Sequence, residues 1–111
     1  MQAANSGRSY PVRRAARKDA NHQSVSDYLS ALGWSVLDLS RAGFGVPDLA
    51  VSKPGFCCLV EVKDGTKPPS ERKLTPEQQE IRARWQGPYV IALSGEDAAL
   101  QLLCLLNGWE K

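Results

Sequence analysis

The chain is poor in the side chains that most often build metal centres and covalent cross-links. It has one histidine, His22, and three cysteines, Cys57, Cys58 and Cys104, with no C-x-x-C spacing. An odd, unpaired set of this kind argues against both a zinc site and a disulfide framework. The three cysteines are expected to be small buried apolar side chains. No apolar run approaches the ~20 residues a membrane-crossing helix needs. The N-terminal segment lacks an apolar region of signal-peptide type, so the expected compartment is the cytoplasm. Internal repeats are absent, and 111 residues suit one small domain with a single core.

Acid is missing as well, but only locally. The net charge is just +2, yet residues 1–18 carry Arg8, Arg13, Arg14, Arg17 and Lys18 with no Asp or Glu. This segment reads as a basic, flexible arm, with residues 19–111 as the domain. A second basic cluster, Lys67, Arg72 and Lys73, falls in a proline-rich loop, while Glu96, Asp97 and Glu110 make the C-terminal part acidic. A basic arm and loop around an acidic centre suit a polyanion laid across a cation site. For residues 1–12 the competing reading is a solvated tail.

The apolar pattern predicts the elements. Val25, Tyr28, Leu29 and Leu32 recur at helical spacing. Asp19 or Asn21 is a candidate cap for that helix, and Gly33 a candidate end. Trp34–Leu39 reads as a strand, followed by a turn over residues 41–45. Asp48–Val51 and Phe56–Lys63 read as strands joined at Lys53-Pro54-Gly55. The second is almost continuously apolar, as a central strand should be. Asp64–Leu74 predicts an exposed, mobile loop. Thr75-Pro76-Glu77-Gln78 predicts a helix start, with Thr75 at N-cap, Pro76 at N1 and Gln78 closing a capping box. Pro88–Leu93 is a fourth strand, and Asp97–Leu106 a last helix stopped by Asn107-Gly108. Helix, three strands, helix, strand, helix predicts an α/β sandwich on a mixed four-stranded sheet.

Within that frame the charged residues Asp48, Glu61 and Lys63 stand out. On a strand, Glu61 and Lys63 point the same way, roughly 6–7 Å apart at Cα. A hairpin returning Glu61 to the start of the preceding strand brings Asp48 beside it. Two carboxylates and a main-chain carbonyl, from Val62 or a neighbour, are the oxygen donors that Mg²⁺ prefers. Lys63 is placed to orient water or to stabilise charge growing on a phosphate. This is the chemistry of phosphodiester hydrolysis. Glu-x-Lys on a solvated strand is otherwise an ordinary surface pair, but charges that end an apolar central strand sit in a cleft.

With Pro47-Asp48 and Glu61-Val62-Lys63 the chain resembles the PD-(D/E)xK nuclease superfamily. Three stretches, Gly45-Val46-Pro47-Asp48-Leu49, Glu61-Val62-Lys63-Asp64-Gly65 and Leu74-Thr75-Pro76-Glu77-Gln78, make it similar to the VRR-NUC branch, in the compact stand-alone form of phages and prophages. The resemblance covers roughly residues 19–106 and implies a restriction-endonuclease-like αβββαβα core. It implies Mg²⁺ or Mn²⁺ held by Asp48, Glu61 and the Val62 carbonyl, and water positioned by Lys63. Gln78 becomes a further catalytic candidate, although the capping box already accounts for it. The implied activity is an endodeoxyribonuclease acting on branched DNA such as Holliday junctions. It would work as a homodimer in the host cell, with no membrane and no nucleotide cofactor.

The chain also departs from that pattern. Family members often carry an acid on the first helix, where this chain has Asn21-His22-Gln23-Ser24. Gln23 or Asn21 is the expected support for a metal or its water, and His22 reads as structural or exposed. The missing acid leaves a second function open, a DNA-binding or assembly module with weak or no cleavage. Expected phosphate contacts are Arg13, Arg14, Arg17 and Lys18 on the arm, Arg41 in the turn, and Lys67, Arg72 and Lys73. Leu100, Leu102, Leu103, Leu105 and Leu106 exceed one helix face, so the last helix either covers the sheet or contributes to a dimer interface.

Overall fold

In the computed structural model, which describes residues 20–109, the chain runs α1 (Ala20–Ala31), β1 (Ser35–Asp38), β2 (Leu49–Lys53) and β3 (Phe56–Val62). A single turn of 3₁₀ helix (Pro69–Glu71), α2 (Pro76–Arg84), β4 (Tyr89–Ala92) and α3 (Gly95–Trp109) follow. Asp19 and the basic residues Arg13, Arg14, Arg17 and Lys18 lie outside the described residues.

The four strands form one open mixed sheet in the order β1-β2-β3-β4. β1, β2 and β3 are an antiparallel meander, and β4 joins β3 in parallel. The pairing Lys53↔Phe56 leaves Pro54 and Gly55 as a two-residue hairpin turn, which sets the register of everything upstream. A parallel partner needs a long crossover, and the segment carrying α2 supplies it. β3 is flanked on both edges, which explains its apolar run.

Helices α1 and α3 cover one face of the sheet. Val25 and Leu29 from α1 and Ala98 and Leu102 from α3 meet Leu49, Val51, Phe56, Cys58, Val60, Val62, Val90 and Ala92. Each large aliphatic side chain buried here stabilises the fold by roughly 1.5–3 kcal/mol. The helices approach so closely that a Cβ on Gly95 would lie 2.6 Å from Tyr28 Cβ. Only glycine starts α3 at that point without displacing α1. No helix among the described residues is long and apolar enough to cross a membrane.

Several expectations are corrected in detail. The buried stripe of α1 is His22, Val25 and Leu29, while Tyr28 and Leu32 remain exposed because α3 covers only one side of the helix. The capping box of α2 forms as predicted, but α2 buries none of its own residues. It therefore does not cover the second face as a packed layer. α3 begins at Gly95, where Ser94 Oγ accepts from Asp97 N–H and the Asp97 carboxylate accepts from Leu93 N–H. It continues through Asn107 and Gly108 to Trp109, since a helical glycine costs only about 1 kcal/mol. Of its leucines, Leu102 is buried and Leu106 partly so, while Leu100, Leu103 and Leu105 are exposed. The thiols are free, but only Cys58 is buried; Cys57 and Cys104 are exposed.

Candidate functional site

Strand alternation puts Glu61 and Lys63 on the face of β3 opposite the core residues Val60 and Val62. The pairing Leu49↔Val60, extended by one residue, brings Asp48 beside Glu61. Asp48 is held at two points. Its carbonyl accepts from Leu39 N–H at 2.7 Å, and its Oδ2 accepts from Val62 N–H at 2.8 Å. The side chain thus takes the place of the ladder partner that β2 no longer provides. N–H and C=O of one strand residue leave on the same edge, so the Val62 carbonyl emerges on the Asp48 side.

Glu61 is only 3% exposed, an unusual burial for a carboxylate. Its Oε2 accepts from Gln78 Nε2 at 3.1 Å and lies 3.8 Å from Lys63 Nζ. Its Oε1 is buried and meets no N–H or hydroxyl donor; the group it pairs with is the Asp48 carboxyl, which a proton on Glu61 can bridge. Burial pushes the Glu61 carboxyl up to about 8, the Asp48 carboxylate adds to the rise, and Lys63 opposes it. Two carboxylates set against each other in a buried site cannot both ionise without cost, and a cation bound between Asp48 and Glu61 would remove that cost. Among the described residues no group of three or more His, Cys, Asp or Glu side chains is arranged to hold a metal. A hard cation held here would have these two carboxylates and would complete its shell from carbonyl, water and substrate oxygens, which is the usual pattern for Mg²⁺. The donor set fits.

Gln78 closes the capping box and also touches Glu61 and Lys63. Its Oε1 accepts from Thr75 N–H at 2.9 Å, closing the capping box, and from Lys63 Nζ at 3.0 Å. With two donors facing its oxygen, its NH₂ must face Glu61. One amide therefore starts α2, orients Lys63 and holds one Glu61 oxygen.

Both residues expected to support a metal or its water make contacts of their own. Gln23 is exposed, and its amide donates to Asp27 Oδ1 at 2.9 Å. Asn21 lies inside α1 and so is not its cap, and its Nδ2 donates to the carbonyls of Lys63 at 2.8 Å and Leu93 at 3.1 Å. It ties α1 to the ends of β3 and β4, and so positions the backbone that carries Lys63. The helix residue that reaches the carboxylates is His22, 4% exposed. Its Nδ1 lies 3.8 Å from Asp48 Oδ1 and its Nε2 lies 3.6 Å from Asp38 Oδ2. The signal for it was helical spacing, since His22 precedes Val25 by three and Leu29 by seven.

Tyr89 was also missed. Burial and the nearby Glu61 carboxylate push its phenol up to about 12, while Arg82 lies over its ring at 5.3 Å. Arg41, Lys67 and Lys73 are exposed as expected of phosphate contacts. Arg72 is half-buried, and its Nε is buried without a hydrogen-bond partner. It is thus a less accessible contact than the loop composition suggested.

The turn leading to Asp48 touches α2. A Cβ on Gly45, at φ 84°, would lie 2.5 Å from the Glu77 carbonyl carbon. Glycine there lets the two backbones meet, which locks the Asp48 approach to the helix that carries Gln78. Comparison of the chain with family models, with curated proteins and with solved structures gave no match.

Proposed function

We propose that this protein is a divalent-metal-dependent endodeoxyribonuclease with a restriction-endonuclease-like core, related to the VRR-NUC branch of the PD-(D/E)xK nucleases. The observation that carries the reading is the buried Glu61 carboxyl, short of N–H donors, set against the Asp48 carboxyl and within reach of Lys63. A surface ion pair would leave Glu61 in solvent. A purely structural buried carboxylate would face N–H or hydroxyl donors, and this one faces a second carboxyl.

Asp48, Glu61 and the Val62 carbonyl would hold Mg²⁺ or Mn²⁺. When bound, that cation would neutralise charge on the phosphate and make the attacking water easier to deprotonate. Lys63, oriented by Gln78, donates toward the non-bridging phosphate oxygens or the attacking water. Asp48 keeps its direction through Val62 N–H and its contact with His22. Exposed Arg41, Lys67 and Lys73 neutralise flanking phosphates. Branched DNA is the favoured substrate on the motif resemblance. A C₂ dimer through the exposed leucines of α3 would give the two active centres that paired junction cuts require.

The test is purified protein with supercoiled plasmid and with synthetic four-way, flap and linear DNA, in Mg²⁺, Mn²⁺ or EDTA. Cleavage is expected with either metal, and its loss in EDTA and in Asp48→Asn. Lys63→Ala should cost about 10²–10³ in rate. Binding without cleavage in both metals would sink the hydrolase and leave a DNA-binding module on the same scaffold.

A further inference from the structure

The turn between β1 and β2 presents a side chain that the site described above leaves unused. Phe44 is 89% exposed, the most exposed large apolar residue among those described. Its backbone is left-handed at φ 57°, between Gly43 at 71° and Gly45 at 84°. A bulky side chain enters that region only at an energetic cost. Phe44 thus contributes nothing to the core and strains its own backbone. Stability alone would favour glycine or asparagine here.

The turn is nevertheless well anchored. Val46 N–H donates to the Gly43 carbonyl at 3.0 Å, closing the chain around Phe44. Gly45 rests on the Glu77 backbone at the first turn of α2, next to Gln78. Asp48 is four residues on from Phe44, so their Cα atoms are at most about 14 Å apart. At ~3.4 Å per base along a strand, that backbone separation corresponds to about four stacked steps. Arg41, on the same turn, adds an exposed cation suited to a neighbouring phosphate.

We propose that Phe44 is a base-stacking wedge, which packs its ring on an unpaired or unstacked nucleobase a few steps from the scissile phosphate. The inference rests on the nuclease reading and gives that same site its substrate feature. Every base offers a π face, so an aromatic ring binds an exposed base whatever its sequence. In a continuous duplex the same contact requires unstacking a base step first. The ring therefore favours DNA whose stacking is already broken by a branch, flap or single-stranded end. An apolar protein contact would call for a contiguous patch, and this turn offers one ring between two glycines.

The test uses full-length wild type, Phe44→Ala and Phe44→Trp with Ca²⁺ in place of Mg²⁺. Each is bound to a flap or four-way junction carrying 2-aminopurine at the branch, and to the same probe in continuous duplex. Wild type should change the branch fluorescence by stacking. Phe44→Ala should lose that change and bind branched DNA on the order of tenfold more weakly, with duplex binding unaltered. Phe44→Trp should restore both. Because Phe44 is exposed, thermal melts of all three should agree within a few degrees.

Wild-type fluorescence and affinity in Phe44→Ala would overturn the wedge, as would an equal loss on continuous duplex. Parallel cleavage in Mg²⁺ separates the two proposals. Cleavage indifferent to Phe44 removes the wedge and keeps the nuclease. A Phe44-dependent signal without cleavage keeps the wedge and removes the nuclease. Failure to bind any of the DNAs removes both.

Discussion

Gln78 holds Glu61 by donating from Nε2 to Oε2 at 3.1 Å, while the oxygen of the same amide accepts from Thr75 N–H at 2.9 Å. The start of α2 and the state of the buried carboxylate are therefore linked through one side chain. Moving α2 would release Glu61 and Lys63 together.

That link separates two variants. Thr75→Ala removes the hydroxyl that accepts from Gln78 N–H at 3.2 Å and should cost about 1 kcal/mol of stability. Activity per folded molecule should survive it. Gln78→Ala should lose comparable stability and, in addition, most of the cleavage rate, because Lys63 and Glu61 lose their shared partner. Chemical denaturation and single-turnover cleavage check the pair. Equal activity in the two variants would place Gln78 in the cap alone.

Glu61 sets the expected pH dependence. Its carboxyl is raised from 4.5 to about 8, first by burial and then by Asp48. The folded state binds this proton more tightly than the unfolded chain does. The associated stability is full below about pH 4.5 and is lost as pH rises through about 8. In EDTA, melting temperatures of wild type should fall across that interval relative to Glu61→Gln. Mg²⁺ requires the ionised form, so the rise in melting temperature it produces should grow over the same range. Parallel wild-type and Glu61→Gln profiles would contradict this.

Asn21 offers a test of the first helix. Asn21→Ala leaves the carbonyls of Lys63 and Leu93 without their donor, at an expected cost of about 1–3 kcal/mol. Asn21→Asp should be worse, since it turns a carboxylate toward two carbonyl oxygens. Neither should strengthen Mg²⁺ binding by calorimetry. An Asp variant that bound the ion more tightly would show that position 21 belongs to the metal shell.

The basic loop is tested by salt. Replacing Arg41, Lys67 and Lys73 together by Gln should lower the slope of log affinity against log salt by about 2–3. Arg72→Gln alone should change the slope less and stability more, because its Nε is buried. An unchanged slope in the triple variant would remove this surface from the DNA path.

Much of the site was legible locally. A capping box depends on four consecutive residues, so Thr75–Gln78 was readable without any fold. The hairpin at Pro54-Gly55 fixes the offset between β2 and β3, so Asp48 beside Glu61 followed from counting pairs. The first helix was harder. Its polar residues Asn21, His22 and Gln23 differ by about 100° each around the axis, and which one enters the site depends on how α1 sits on the sheet. The apolar period pointed at Val25 and Leu29, and His22 continues it. Reading Tyr28 and Leu32 into the same buried stripe turned the helix toward Asn21 and away from His22.

By itself the sequence determined the element order, the sheet's central strand, the carboxylate pair with its lysine, and the capped start of α2. Each rests on alternation or on contacts a few residues apart. The tertiary structure alone decided that Gln78 serves cap and carboxylate together, that Asn21 Nδ2 donates to two carbonyls, and that His22 is the first-helix residue that reaches Asp48. It also decided that the Glu61 carboxyl is buried against Asp48 and that Phe44 stands strained in solvent. These depend on which surfaces meet across the fold, and a linear pattern carries no term for the distance between residues that only packing brings together.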